Sequence, residues 1–126
     1  MPRQIKEQPC RYMKNLLRFT TLFFSIITLS ALIAHLLALP GKIHLSGEDY
    51  LKVQSIYRGW ALLGAFEIGA IVLMLIWTIR EYDHSDRFAP LFTALSCLIV
   101  SLAIFFLFTF PANRATRNWT YLPHDW

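Results

Sequence analysis

The stretch WALLGAFEIGAIVLMLIWTI, residues 60–79, decides the fold. One side chain in it is charged, Glu67, and ten are Leu, Ile, Val or Phe. At 1.5 Å rise per residue, about 20 apolar residues cross a hydrocarbon core of about 30 Å. Lipid offers no water to the backbone, so a spanning segment must close its own hydrogen bonds as an α-helix. Two more runs of this kind flank it, FTTLFFSIITLSALIAHLLAL at 19–39 and PLFTALSCLIVSLAIFFLFTF at 90–110, and neither holds a Lys, Arg, Asp or Glu. The expected fold is all-α, an integral membrane helical bundle with three transmembrane helices. Residues 1–18 are expected as a basic cytoplasmic segment and residues 19–126 as the membrane domain.

Composition agrees with the pattern. Of 126 residues, 56% are hydrophobic and 16% charged, more apolar than an ordinary soluble domain. A soluble chain of this size keeps too much surface to hide that share. The net charge of +4 raises nucleic acid as a partner. Its placement argues against that: Arg3, Lys6, Arg11, Lys14 and Arg18 precede the first run, where they would meet anionic headgroups, and no nucleic-acid-binding module accompanies them. The expected partners are therefore the lipid bilayer and membrane helices, with no nucleic acid.

Loop charge sets an orientation. With the N-terminus inside, seven Lys/Arg fall on the inner side and five on the outer, so the bias favours a cytoplasmic N-terminus. The first run is longer than a signal-peptide core and lacks a good cleavage site, so it is expected to stay as a helix. Cys10 and Cys97 would lie in cytosol and at membrane depth, which separates them. The histidines in the loops have no metal-ligand spacing, and neither metal nor cofactor is expected.

Prolines are expected to mark helix ends: Pro40-Gly41 stopping the first helix, Pro90 in the first turn of the third, and Pro111 just past its end. Ser46-Gly-Glu-Asp49 has the form of a capping box and predicts a short helix over 48–58. Ala61, Ala65 and Gly69 recur every four residues, a spacing that lets helix backbones approach closely.

The residues with most chemistry to offer are two ionisable groups in apolar runs. A charge at a helix centre costs about 2.5–3.5 kcal/mol on insertion scales, so Glu67 should face protein or water. His35 lies at a comparable depth if the first two helices are antiparallel neighbours, and the two could meet as an acid/base pair. A hydrogen bond between helices is the plain structural role for the same acid. Tyr57, Arg58, Asn113, Arg114, Asn118 and Trp119 gather near the outer ends and form the expected rim of a ligand site, although Tyr and Trp there also serve as interfacial anchors.

Two polar stretches, Lys42 to Ala61 and Pro111 to Trp126, resemble the loops of a bacterial family of small membrane proteins of unknown function that also includes fungal anthrone-oxygenase-like proteins. The resemblance implies a four-helix bundle whose last helix is absent here; Asp125 would then stand where that helix begins. It further implies, as one reading, a cofactor-independent oxygenase acting on a hydrophobic polyphenol, with Glu67 or His35 as base. The reading drawn from the residues themselves is a binding or scaffold bundle for a hydrophobic ligand or partner helix, including a second copy of the chain. A bacterial inner membrane is the expected location.

Overall fold

The computed structural model describes the backbone of residues 3–124 and the side chains of residues 11–124. Five α-helices follow in order: α1 (Arg3–Lys42), α2 (Gly47–Gln54), α3 (Leu63–Arg80), α4 (Ser85–Ile104) and α5 (Phe110–Ala115). A 3₁₀ segment, Ser55–Leu62, joins α2 to α3, and a π-helical turn, Phe105–Thr109, joins α4 to α5. The result is three helical rods, Arg11–Lys42, Gly47–Arg80 and Ser85–Ala115, each long and apolar enough to cross a membrane. No strand occurs among the described residues.

The prolines do not act as stops, which corrects the expected boundaries. Helix α1 runs through Pro40 and Gly41 to Lys42. Pro40 removes only one ladder bond there. Beyond it the end is anchored, because Lys42 is buried, donates to Gln54 Oε1 at 3.0 Å and lies 4.0 Å from the Tyr57 ring centre. Pro90 sits inside α4, which begins five residues earlier at Ser85 after His84. Pro111 lies in α5, and the π turn ahead of it explains why the rod continues. Phe110 N–H reaches back to the Phe105 carbonyl, widening the helix one turn before the proline ring would crowd the Leu107 carbonyl. The backbone of the basic segment from Arg3 onward is helical and continues into α1.

The capping box forms in altered shape. Ser46 Oγ accepts from Asp49 N–H at 3.3 Å and donates to Asp49 Oδ2 at 3.0 Å, so the shorter Asp grips the hydroxyl itself. After α5 the chain takes three successive left-handed residues, Arg117, Asn118 and Trp119, with φ of 50°, 55° and 64°. Each costs roughly 1–2 kcal/mol for an L-residue. Thr116 holds the turn: its hydroxyl accepts from Trp119 N–H at 3.1 Å, its carbonyl from Thr120 and Tyr121, and it is 2% exposed. The expected helix start at Asp125 lies outside the described residues.

Helix α3 is the central rod, packed against α1 on one side and α4 on the other. The buried residues of these two rods are mostly small or polar: Thr21 and Thr28 on α1, Ala70 and Thr78 on α3, with Met74. Each of the three threonines donates its hydroxyl to the carbonyl four residues back, at 2.7–3.1 Å. That removes the penalty of an unpaired hydroxyl and leaves a methyl to pack. Gly69 lets α1 in, for a Cβ built there would stand 2.5 Å from the Phe24 ring, which also packs on Phe66 at 5.2 Å. The predicted stripe Ala61, Ala65, Gly69 is thus correct only at Gly69. Ala61 and Ala65 are exposed; Ala61 lies on the 3₁₀ segment, whose winding departs from the 3.6 residues per turn that the stripe assumes. The outside is the reverse of a soluble protein's, with Phe19, Leu36, Leu37, Ile79, Leu107 and Phe108 among many large apolar side chains left open.

One acid ties all three rods at the end where α3 meets α4. Glu81 Oε1 accepts from Arg18 of α1 at 3.2 Å, and Oε2 pairs with Arg87 of α4 at 2.8 Å. Burial works to raise the Glu81 carboxyl. The Arg18 hydrogen bond, the charges of Arg87 and Arg18, and then His84 outweigh it and hold the group below its ordinary 4.5. A depressed carboxylate contributes stability above its unfolded value and loses it as pH falls through the folded one. Glu81→Gln should therefore be less stable than the parent by a constant margin from neutral pH down to 4.5, and the margin should shrink below it, in denaturant unfolding followed by circular dichroism. Gly69→Ala should lower stability in the same assay by about 1–3 kcal/mol, less the ~1 kcal/mol gained in helix propensity, and trimming Phe24 to Leu should recover most of the loss.

Candidate functional site

Glu67 finds its partner across the α3–α4 seam. Ser101 Oγ of α4 donates to Glu67 Oε1 at 2.8 Å, a partly buried bond between two spans. Three residues of α4 at helical spacing, Thr93, Cys97 and Ser101, form the floor of a shallow trough of about 450 Å³ on the outward face of α4. Phe92 walls one end and Ile104 the other, with Ser96 and Val100 along the side. The lining is almost wholly apolar, since Ser96 and Thr93 turn their hydroxyls back onto the carbonyls of Phe92 and Ala89 at 2.8 and 3.0 Å. Leu95, buried at 6% exposure, marks the opposite face, toward α3. Glu67 thus stands behind the trough, presented through Ser101.

His35 lies elsewhere. Its ring packs 4.6 Å from Tyr57 and 5.0 Å from Trp60, and those two rings meet edge to face at 4.6 Å. Lys42 closes the cluster over Tyr57. This is a packed aromatic corner between the end of α1 and the 3₁₀ segment. Glu67 and His35 therefore have separate partners, Ser101 of α4 for the acid and the 3₁₀ segment for the imidazole, and no hydrogen bond joins them as an acid/base pair. The imidazole is tilted on Tyr57 and meets Trp60 edge to face, while the residue stays exposed.

The six expected rim residues divide the same way. Tyr57 belongs to the His35 corner. Asn113, Asn118 and Trp119 belong to the turn after α5, where the Asn113 carbonyl accepts from Asn118 N–H at 2.7 Å and Trp119 reaches the Tyr50 ring of α2 at 5.8 Å. Arg114 lies over Phe110 at 6.0 Å, exposed, and Arg58 is exposed on the 3₁₀ segment. No single ligand site gathers these residues. Asn113 Oδ1 is buried without a hydrogen-bond partner among the described residues.

Sequence reasoning missed Ser101, because one hydroxyl among many in the spans carries no mark of its partner. It also missed Lys42–Gln54 and the Arg18–Glu81–Arg87 node, for which opposite charges at the ends of neighbouring helices were an available signal. Among the described residues no three His, Cys, Asp or Glu converge to hold a metal ion. Comparison with protein-family models, curated proteins and solved structures finds no match to this chain.

Breaking one side of the Glu67–Ser101 pair should cost more than removing both. Ser101→Ala alone should destabilise by about 1–3 kcal/mol by leaving a partly buried carboxyl group unpaired, whereas Ser101→Ala with Glu67→Leu should lie close to the parent. Stability by detergent-to-denaturant titration of the two variants measures the difference; equal losses would mean that the bond carries no weight.

Proposed function

We propose that this chain is a small multi-pass membrane protein that binds a partner transmembrane helix along the outward face of α4, with its N-terminus in the cytoplasm. The observation that carries the reading is the trough itself. Small side chains at 93, 97 and 101 repeat every four residues, the spacing at which helix backbones pack closely in lipid. The trough is one helix face wide and bounded lengthwise by Phe92 and Ile104, dimensions that suit a rod better than a compact molecule. Behind it, the Glu67–Ser101 pair offers a polar group that a partner span could share, and such groups hold membrane helices in register. A second copy of the chain is the simplest partner.

A hydrophobic small molecule in the same trough is the neighbouring possibility, and an oxygenase would need a base beside it. Glu67 is the residue nearest to that role. It sits behind a hydroxyl, and the trough is open along its length, so the helix-binding reading is favoured.

Cys97 lies exposed in the trough and makes the test direct. In a Cys10→Ser background, membranes carrying the protein should give a Cys97-linked product under mild oxidation or with a short bifunctional thiol reagent. Filling the floor with Thr93→Leu and Ser101→Leu should reduce that product severalfold. Efficient crosslinking that the filled variant leaves unchanged would overturn the α4 interface, and a thermal shift with an apolar ligand but no crosslink would favour the small-molecule reading.

A further inference from the structure

We infer that the end of the bundle tied by Glu81 is a binding site for the phosphate of an anionic phospholipid headgroup. A cleft of about 90 Å³ opens there between all three rods. Lys14, Arg18, Arg80, His84 and Arg87 surround the single acid, Glu81. The room is roughly that of three liquid waters at ~30 Å³ each, a size that suits one phosphate group.

The charge is arranged for an external anion. Glu81 engages both of its oxygens with Arg18 and Arg87, which fixes those guanidinium groups without neutralising the cluster. Lys14 and Arg80 line the same cleft and have no carboxylate partner among the described residues. Four cationic side chains therefore line a cleft with one carboxylate, and the surplus pair, Lys14 and Arg80, is carried on the helices α1 and α3. Arginine and lysine together supply both a planar fork and a point charge to phosphate oxygens. Of the other acids in this loop, Asp86 is 79% exposed with its Oδ2 3.9 Å from Arg87 Nε, and Asp83 does not line the cleft.

The cleft also lies at headgroup depth. Arg80 ends the apolar run of α3, and Leu17 and Trp77 form the apolar side of the cleft, where Arg18 sits 5.8 Å from the Trp77 ring centre. Trp at this level marks the membrane–water boundary. A lipid in this position would lay its acyl chains along the apolar outside of the bundle and its phosphate in the cleft. Basic pockets between spans are known to hold anionic headgroups. The inference rests on the membrane reading but not on the α4 interface.

The test uses the full chain in neutral detergent, offered equal amounts of phosphatidylglycerol and phosphatidylcholine, with bound lipid counted by native mass spectrometry. The expected result is a preference for phosphatidylglycerol on the order of tenfold, falling toward parity in Lys14→Gln with Arg80→Gln. These two positions lie outside the Glu81 ion pairs, so helicity by circular dichroism should match the parent. Millimolar inorganic phosphate should leave the bound lipid in place. Equal binding of the two lipids by the parent protein overturns the inference without reference to any variant. An unchanged preference in the double variant overturns the site, and displacement by inorganic phosphate overturns the lipid as its ligand. Because the count is made on micelle-solubilised protein, a failed α4 interface would not alter it.

Discussion

In a hydrocarbon solvent a peptide group has nowhere to send a hydrogen bond except its own chain, and the structure follows from that constraint. It keeps the helices running where water would have let them stop. Pro40, Pro90 and Pro111 each withdraw a donor, yet the rods carry on through all three. The chain absorbs the last of them locally with a π turn at 105–109, and elsewhere a 3₁₀ stretch at 55–62 likewise changes the winding. The same rule extends to side chains. Thr20, Thr21, Thr28, Ser30, Thr78, Thr93, Ser96 and Thr116 all turn their hydroxyls onto carbonyls of their own helix.

With hydrophobicity unavailable as a force between helices, packing has to come from closeness and polarity. The α1–α3 seam relies on closeness, since Gly69 admits the Phe24 ring. The α3–α4 seam adds polarity through Ser101 and Glu67, and at the loop end through Glu81 and Arg87. An acid in a span and an acid at its end thus perform related work at two depths. Glu67 joins two rods by one bond; Glu81 joins three by two ion pairs.

The spans were legible because insertion is governed by mean hydropathy, a property of twenty residues at once that no single exception reverses. Glu67 is such an exception and still did not hide the helix around it. The boundaries were less legible, because stop rules for prolines come from helices whose freed carbonyls can turn to water. Pairing was least legible. Glu67 could be expected to seek a partner, but whether His35 or Ser101 supplied it depended on which face of α3 each neighbour took. His35 instead meets Tyr57 and Trp60 on the segment 55–62, and sequence spacing alone does not show that this segment departs from an α-helix. The six rim residues divide for a related reason: Tyr57 packs with His35 and Trp119 with Tyr50.

The length of α1 has a mechanical consequence. Its 40 residues make a rod of about 60 Å, twice the ~30 Å thickness of a hydrocarbon core. Arg18 is pinned at the level where α3 ends, so the residues from Arg3 to Arg18 overhang that level by about 22 Å. The protein is in this respect a post set in a floor. A soluble protein approaching that face would touch the tip of the post well before it reached lipid, and torque applied there would be delivered first to the Arg18–Glu81 joint.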